Sequence, residues 1–266
     1  MTELERCVAN YRSSAETNDA LWKNFSKLTD SVPFLKAHRD WVETNAWGFG
    51  DRAFHYMWYL LLRDDLLNRP APRFLEIGIF KGQVVSLWTL IAKQLGRKAE
   101  ITGVSPFAGN KPWVAEIPVL RRLARVVSKR FREDVSSINL YDKQDYLQAI
   151  NRIFEEFDLS QSNLKLLQGF SQDGHIQEQL SDYQFDLIYI DGGHRYEEVM
   201  DDLMFYSQRV AAGGYLVLDD ASFYEPGSEF WKGIESVSRA VRDWEGRGFR
   251  NALNIGHNRI MQREWE

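Results

Sequence analysis

The sequence predicts an α/β fold built on an open, mostly parallel sheet, and three stretches predict it. Phe185 to Ile190 is apolar at five of six positions, without polar alternation, as a strand covered on both faces requires. It stops at Asp191-Gly192-Gly193-His194. A second apolar run, Gly214 to Leu218, stops at Asp219-Asp220. Between Arg73 and Val104 the chain reads strand, glycine turn, helix, strand, which is a βαβ unit. In open α/β sheets ligands bind beyond the carboxyl ends of the strands. If the 185–190 and 214–218 strands are neighbours, three carboxylates and one imidazole converge on one rim.

Taken in order, residues 1–70 read as a helical N-terminal extension. Its strongest part, Ala53 to Leu62, is too aromatic and apolar for a solvated helix, so it packs on the main domain or on a second subunit. Pro70 and Pro72 close it. The main domain spans 71–266. Strand 73–77 leads through Gly78–Gly82 into a helix over 83–95, with Gly96 as its C-cap, and then into strand 100–104. Residues 105–162 are too long for one connection and read as a helical insertion over the ligand edge, with helices near 116–133 and 143–157. Then follow strand 164–167, a short helix over 173–180, strand 185–190, a helix from 196 to about 210 and strand 214–218. A helix over about 229–244 precedes a hairpin, 249–254 with 258–262, around Gly256. That makes seven strands.

Composition narrows the function. A net charge of −5 disfavours wholesale nucleic-acid binding. One cysteine, Cys7, excludes an internal disulfide framework and a cysteine metal cluster. No apolar run reaches about 18 residues, and Met1 to Arg6 lacks the apolar core of a signal peptide. The expectation is a cytoplasmic protein with a small-molecule partner, no nucleic acid and no membrane, and with self-association left open.

Two motifs carry chemistry. Glu76-Ile77-Gly78-Ile79-Phe80-Lys81-Gly82 is a strand-to-helix turn whose glycines let backbone approach a ligand, with free N–H groups at the helix start. Its G-x-x-x-G spacing departs from the dinucleotide fingerprint. It resembles the first motif of class I S-adenosylmethionine-dependent methyltransferases, although a turn serving only packing reads the same way. The second motif is Ile190-Asp191-Gly192-Gly193-His194-Arg195-Tyr196, then Asp201-Asp202, then Gly213 to Asp220. It resembles the family of macrocin and mycinamicin sugar O-methyltransferases (methyltransferase family 24) and the related cephalosporin hydroxylase-like proteins. The similarity covers about 73–220.

The resemblance implies a seven-stranded class I methyltransferase sheet with its last strand antiparallel. It implies S-adenosyl-L-methionine bound by Glu76, Gly78, Gly82, Ser105, Ser171, Asp173 and Asp191. It further implies a divalent cation on Asp191, Asp219 and Asp220, with His194 and Asp191 catalytic and His194 the base. Three clustered carboxylates would repel without a cation, and all-oxygen ligation suits Mg²⁺. Simpler roles stay open. Asp191 can cap the next helix, Asp219 and Asp220 can hold loop amides, His194 can be an ordinary helix-start residue, and Ser171 and Asp173 can form an N-cap.

The chain departs from the family at Ser105, where Val104-Ser105-Pro106 lacks the ribose-binding acid. The basic run Arg121, Arg122, Arg125, Lys129, Arg130 and Arg132 is either a solvated face or a means of drawing in a phosphate-bearing substrate. The expected function is O-methylation of a sugar or other hydroxylated metabolite, probed against a non-catalytic binding module and a hydroxylase-like relative with an oxidisable metal.

Overall fold

The structure, a computed structural model, describes residues 1–109, 112–136, 142–244, 246 and 248–264. Within the insertion expected over 105–162, residues 110, 111 and 137–141 lie outside the described set. The chain opens with four helices, α1 (Glu3–Asn10), α2 (Ala15–Ser31), α3 (Pro33–Thr44) and α4 (Arg52–Asp64). Then come β1 (Arg73–Ile77), α5 (Gln83–Gln94), β2 (Glu100–Ser105), α6 (Pro118–Val127), α7 (Lys129–Ser136) and α8 (Tyr146–Glu156). The rest is β3 (Leu164–Gln168), α9 (Gly174–Leu180), β4 (Phe185–Ile190), α10 (Tyr196–Tyr206), β5 (Val210–Leu218), α11 (Glu235–Trp244), β6 (Phe249–Ile255) and β7 (Asn258–Arg263).

The strands form one seven-stranded sheet in the order β3-β2-β1-β4-β5-β7-β6. β1 to β5 pair in parallel, and β7 runs antiparallel to both β5 and β6. The class I methyltransferase sheet expected from the sequence is the sheet observed. The order reverses between β1 and β4, so the crevice for a ligand opens above those two strands. The 116–133 helix is divided: Ser128 closes α6 by donating its N–H to Ala124 O and opens α7 by accepting the Phe131 N–H on its side-chain oxygen. The 229–244 helix is shorter than its pattern suggested, beginning at Glu235 behind Gly233 at φ +91°.

The N-terminal helices share the sheet's core. Asp51 caps α4 by accepting from Ala53 N. α4 then lays Trp58 edge-on against Trp88 of α5 and Tyr189 of β4, at centroid distances of 5.1 and 5.0 Å. Phe25, Leu35, Leu61 and Trp58 join Phe74, Leu187 and Tyr215 in one buried cluster on this face. The opposite face buries Ile77, Ile188 and Leu216 against α10 and α11. Burying a side chain such as Trp58 or Leu61 contributes roughly 1.5–3 kcal/mol each, so α4 is part of the domain and not an appendage.

Candidate active site

Each parallel strand delivers its last residue to the same edge. There a cavity of about 940 Å³ runs along the sheet. It is lined by the β1 turn (Glu76 to Phe80), the β2 end (Val104 to Pro106), the β3 end (Gly169 to Gln172), the β4 end (Asp191 to Arg195) and the β5 end (Asp219, Asp220). Trp22 of α2, Phe49 and Asp51 of the α3–α4 loop and Phe54 of α4 close its far wall.

Gly78 has φ +96°, and a Cβ there would stand 1.8 Å from the Asp191 carbonyl. Only glycine lets the β1 and β4 turns approach this closely. Gly82 and Asp173 do not line the cavity. Gly82 packs on Ile150, and Asp173 accepts the Phe170 N–H at 2.7 Å to close the β3 turn. Ser105 and Ser171 are buried at its edge, beside the half-buried Gln172, which donates to the buried Asp202 at 2.8 Å.

At the other end, Asp219 and Asp220 meet a group the sequence reading passed over. His257 sits in the β6–β7 turn, and Asp219, Asp220 and His257 present ligand atoms within 4.8 Å of one another. The turn is pinned by Ala221 N–H to His257 O at 2.9 Å. Phe54 and Trp231 hold the ring edge-on at centroid distances of 4.6 and 4.9 Å. His257 Nε2 lies 3.3 Å from Asp219 Oδ1 and 3.9 Å from Asp220 Oδ1. His194 Nε2 lies 3.7 Å from Asp220 Oδ2. Asp220 itself is held at φ +54°, with its carbonyl against Gly233. Asp191 stands beside this trio and not within it. The one signal for His257 in the sequence was an imidazole beside the Gly256 turn of a hairpin whose neighbour could be the 214–218 strand.

The electrostatics describe a site short of positive charge. Burial pushes Asp191 well above the carboxylate range, and Asp219, Asp220 and Glu76 push it further. Burial and then Asp219 raise Asp220 to about 8. Glu76, fully enclosed, is raised by burial to about 8, with Asp219 adding to the shift and a Val85 backbone hydrogen bond opposing it. Burial would raise Asp219 too. The charge of His257 and hydrogen bonds with His257, Tyr189 and Asp191 hold it below the usual range instead. Burial would lower His257, and the charge of Asp219 raises it. Among the described residues, Oδ1 of Asp220 and Oε2 of Glu76 are buried without a hydrogen-bond partner, and Oδ1 of Asp219 meets only the His257 ring, at 3.3 Å. Orphaned carboxylate oxygens of this kind are costly unless a cation or donor meets them. Two carboxylates and an imidazole form a donor set that a divalent ion fits.

Comparison with known proteins agrees with the architecture. Residues 75–221 match the family model described as "Methyltransferase domain", and the chain belongs to that family of enzymes. Among solved structures, the O-methyltransferase NovP superposes with a TM-score of 0.55 at 18% identity, over 80% of each chain. A putative caffeoyl-CoA O-methyltransferase from Staphylococcus aureus gives 0.55 at 14% identity, over 91% of this chain and 99% of that one. The O-methyltransferase from Bacillus cereus, solved in complex with SAH, gives 0.54 at 12%, over 94% and 100%. At these identities the likeness is one of fold. Uncharacterized protein R132 of Acanthamoeba polyphaga mimivirus is 34% identical over 71 residues, which is 26% of this chain and about a third (32%) of that protein's length.

Proposed function

We propose that the chain transfers the methyl group of S-adenosylmethionine to a hydroxyl of a sugar or another hydroxylated metabolite, with a divalent metal on Asp219, Asp220 and His257. One observation carries this reading: a single cavity joins the glycine turn of β1 to a cluster of carboxylates and imidazoles at the ends of β4, β5 and the β6–β7 turn. The β1 end of the cavity suits the cofactor. Gly78 leaves room for it, and Glu76, with its unpartnered oxygen, suits an ammonium group. Ser105 offers one hydrogen bond where the family has an acid.

A bound divalent ion would acidify the acceptor hydroxyl, and the sulfonium supplies an electrophilic methyl group. The chain's own residues do the rest. His194, beside Asp220, takes the hydroxyl proton, and the imidazolium that forms is stabilised by that carboxylate. The alkoxide oxygen forms the new O–C bond as the C–S bond breaks, giving a methyl ether and S-adenosylhomocysteine. Tyr189 donates to Asp191 Oδ2 at 3.4 Å, and the two side chains hydrogen-bond to Asp219 and hold it in place. Phe54, Phe230 and Trp231 exclude water and offer flat apolar faces to the acceptor. The imidazole in the donor set shifts the metal preference from Mg²⁺ alone toward ions that also take nitrogen, such as Mn²⁺.

Thermal unfolding with S-adenosylhomocysteine, with Mg²⁺ or Mn²⁺, and with both, tests the reading. A ligand at a hundred times its Kd stabilises by about 2.7 kcal/mol. For a chain of this length that is a rise of roughly 5–10 °C. No shift with S-adenosylhomocysteine removes the cofactor assignment, and a shift that ignores metal removes the cation.

A further inference from the structure

We propose that α6 and its flanks form a docking surface for an anionic lipid bilayer. Apolar residues recur at Val119, Leu120, Leu123, Val126 and Val127, the spacing of one helix face. Among the described residues that face is largely uncovered: no residue of α6 is buried, only Leu120 of the stripe is half-buried, and Val126 and Val127 are 75% and 80% exposed. Trp113 and Ile117, just before the helix, are also exposed. A contiguous apolar stripe left in water marks an interaction surface.

The charge around the stripe selects the partner. Arg121, Arg122, Arg125, Lys129, Arg130 and Arg132 crowd this segment, and Glu116 is the one acid between Trp113 and Arg132, in a chain whose net charge is −5. Pairing with a second copy through this face would set one cationic cluster against another. Folding inward as a loose flap is opposed by the anchoring. Arg132 donates to Arg125 O and Val126 O at 2.8 and 2.7 Å, tying the end of α6 to α7. α7 in turn is fixed by buried Phe131 and by the ion pair of Asp134 with Arg195. An anionic membrane surface satisfies both halves of the segment: the stripe enters the acyl boundary, and the arginines reach lipid phosphates. Pro112, Arg130 and Asp134 line the cavity, so the docked protein would hold its site at the membrane surface. The expectation of no membrane partner rested on the lack of a spanning segment. Among the described residues no helix is long and apolar enough to cross a membrane, but lying on one needs no such helix. The proposal is independent of the methyl-transfer reading.

The test is sedimentation of the full chain with vesicles of phosphatidylcholine, with and without phosphatidylglycerol. Wild type should sediment only with the anionic vesicles, and less so as salt rises. Val126→Glu with Val127→Glu should weaken that partition more than about tenfold. Arg121→Gln and Arg125→Gln should weaken it about fivefold each. All variants should keep the wild-type circular dichroism and the wild-type thermal shift with S-adenosylhomocysteine. Wild type that ignores anionic vesicles overturns the proposal, as does a Val126→Glu/Val127→Glu protein that binds them normally. A dimer in vesicle-free buffer that this double variant converts to monomer also overturns it, and assigns the face to a second copy of the chain.

Discussion

Replacing His257 with leucine keeps most of the side-chain volume but removes the imidazole that faces Asp219 and Asp220 at 3.3 and 3.9 Å. At an effective dielectric of about 20, a charge pair at such a distance attracts by roughly 4–5 kcal/mol. Removing one partner of a buried pair commonly costs about 3–5 kcal/mol, because the other charge is left uncompensated. His257 and Asp220 are both buried, so we take about 3 kcal/mol, or a fall of roughly 6–12 °C in melting temperature without metal. The pH dependence gives the sign. The folded pKa of His257 is raised, so its contribution is fully present below about 6.5 and lost as pH rises through the folded value. Asp219 is depressed, so its contribution is present above about 3.8 and lost as pH falls through its folded value. The deficit of His257→Leu should therefore be largest between about pH 4 and 6.5 and shrink at higher pH. With metal present the variant should also lose most of the wild-type thermal shift, and wild type should release more protons on metal uptake than the variant, because only wild type gives up the His257 proton as well as that of Asp220. The assay is thermal unfolding across pH with and without Mn²⁺, plus calorimetry in buffers of different ionisation heat. A melting temperature within about 2 °C of wild type at pH 6, together with an unchanged metal shift, would refute the argument.

Three further outcomes are expected. His194→Ala should lower turnover about 10²–10⁴-fold while leaving the thermal shifts with metal and S-adenosylhomocysteine in place; normal turnover would remove it as the base. Asp219→Asn should lower metal affinity and activity together, whereas Asp191→Asn, which reaches the ligand trio only through Asp219, should lower metal affinity by about 10–100-fold and less than Asp219→Asn does; equal losses would put Asp191 in the coordination set. His38 and His55 are fully buried and bonded to each other at 2.9 Å, and burial pushes His38 down to about 3 and His55 well below its usual value. Their contribution is thus present above about 6.5 and lost as pH falls, so denaturant titration should show His38→Asn losing about 1 kcal/mol less than wild type between pH 7 and 5.5. An equal loss in both proteins would show that His38 titrates normally.

Local sequence determined the parallel half of this protein. β4 was legible as Phe185–Ile190 because a strand buried on both faces shows no polar alternation, Asp186 being its one polar residue, and its end was marked by the acid and glycines that follow. The G-x-x-x-G turn and the paired acids at 219–220 were legible for the same reason: a parallel strand delivers its last residue to a fixed edge, whatever surrounds it. The family resemblance drawn on those residues holds.

Tertiary structure decided what no local pattern encodes. His257 joins Asp219 and Asp220 because β7 inserts between β5 and β6, which brings a hairpin turn some 40 positions downstream onto the end of β5. Only the strand order sets that proximity. α4 belongs to the core because Trp58 finds Trp88 and Tyr189, so the boundary drawn at residue 70 divides one hydrophobic cluster. α6 is the converse case. Its periodic apolar face reads in sequence like a core-facing helix, and only the fold shows that the described residues leave most of it exposed. Periodicity states that a face seeks a partner; which surface meets it is fixed by where the rest of the chain has gone.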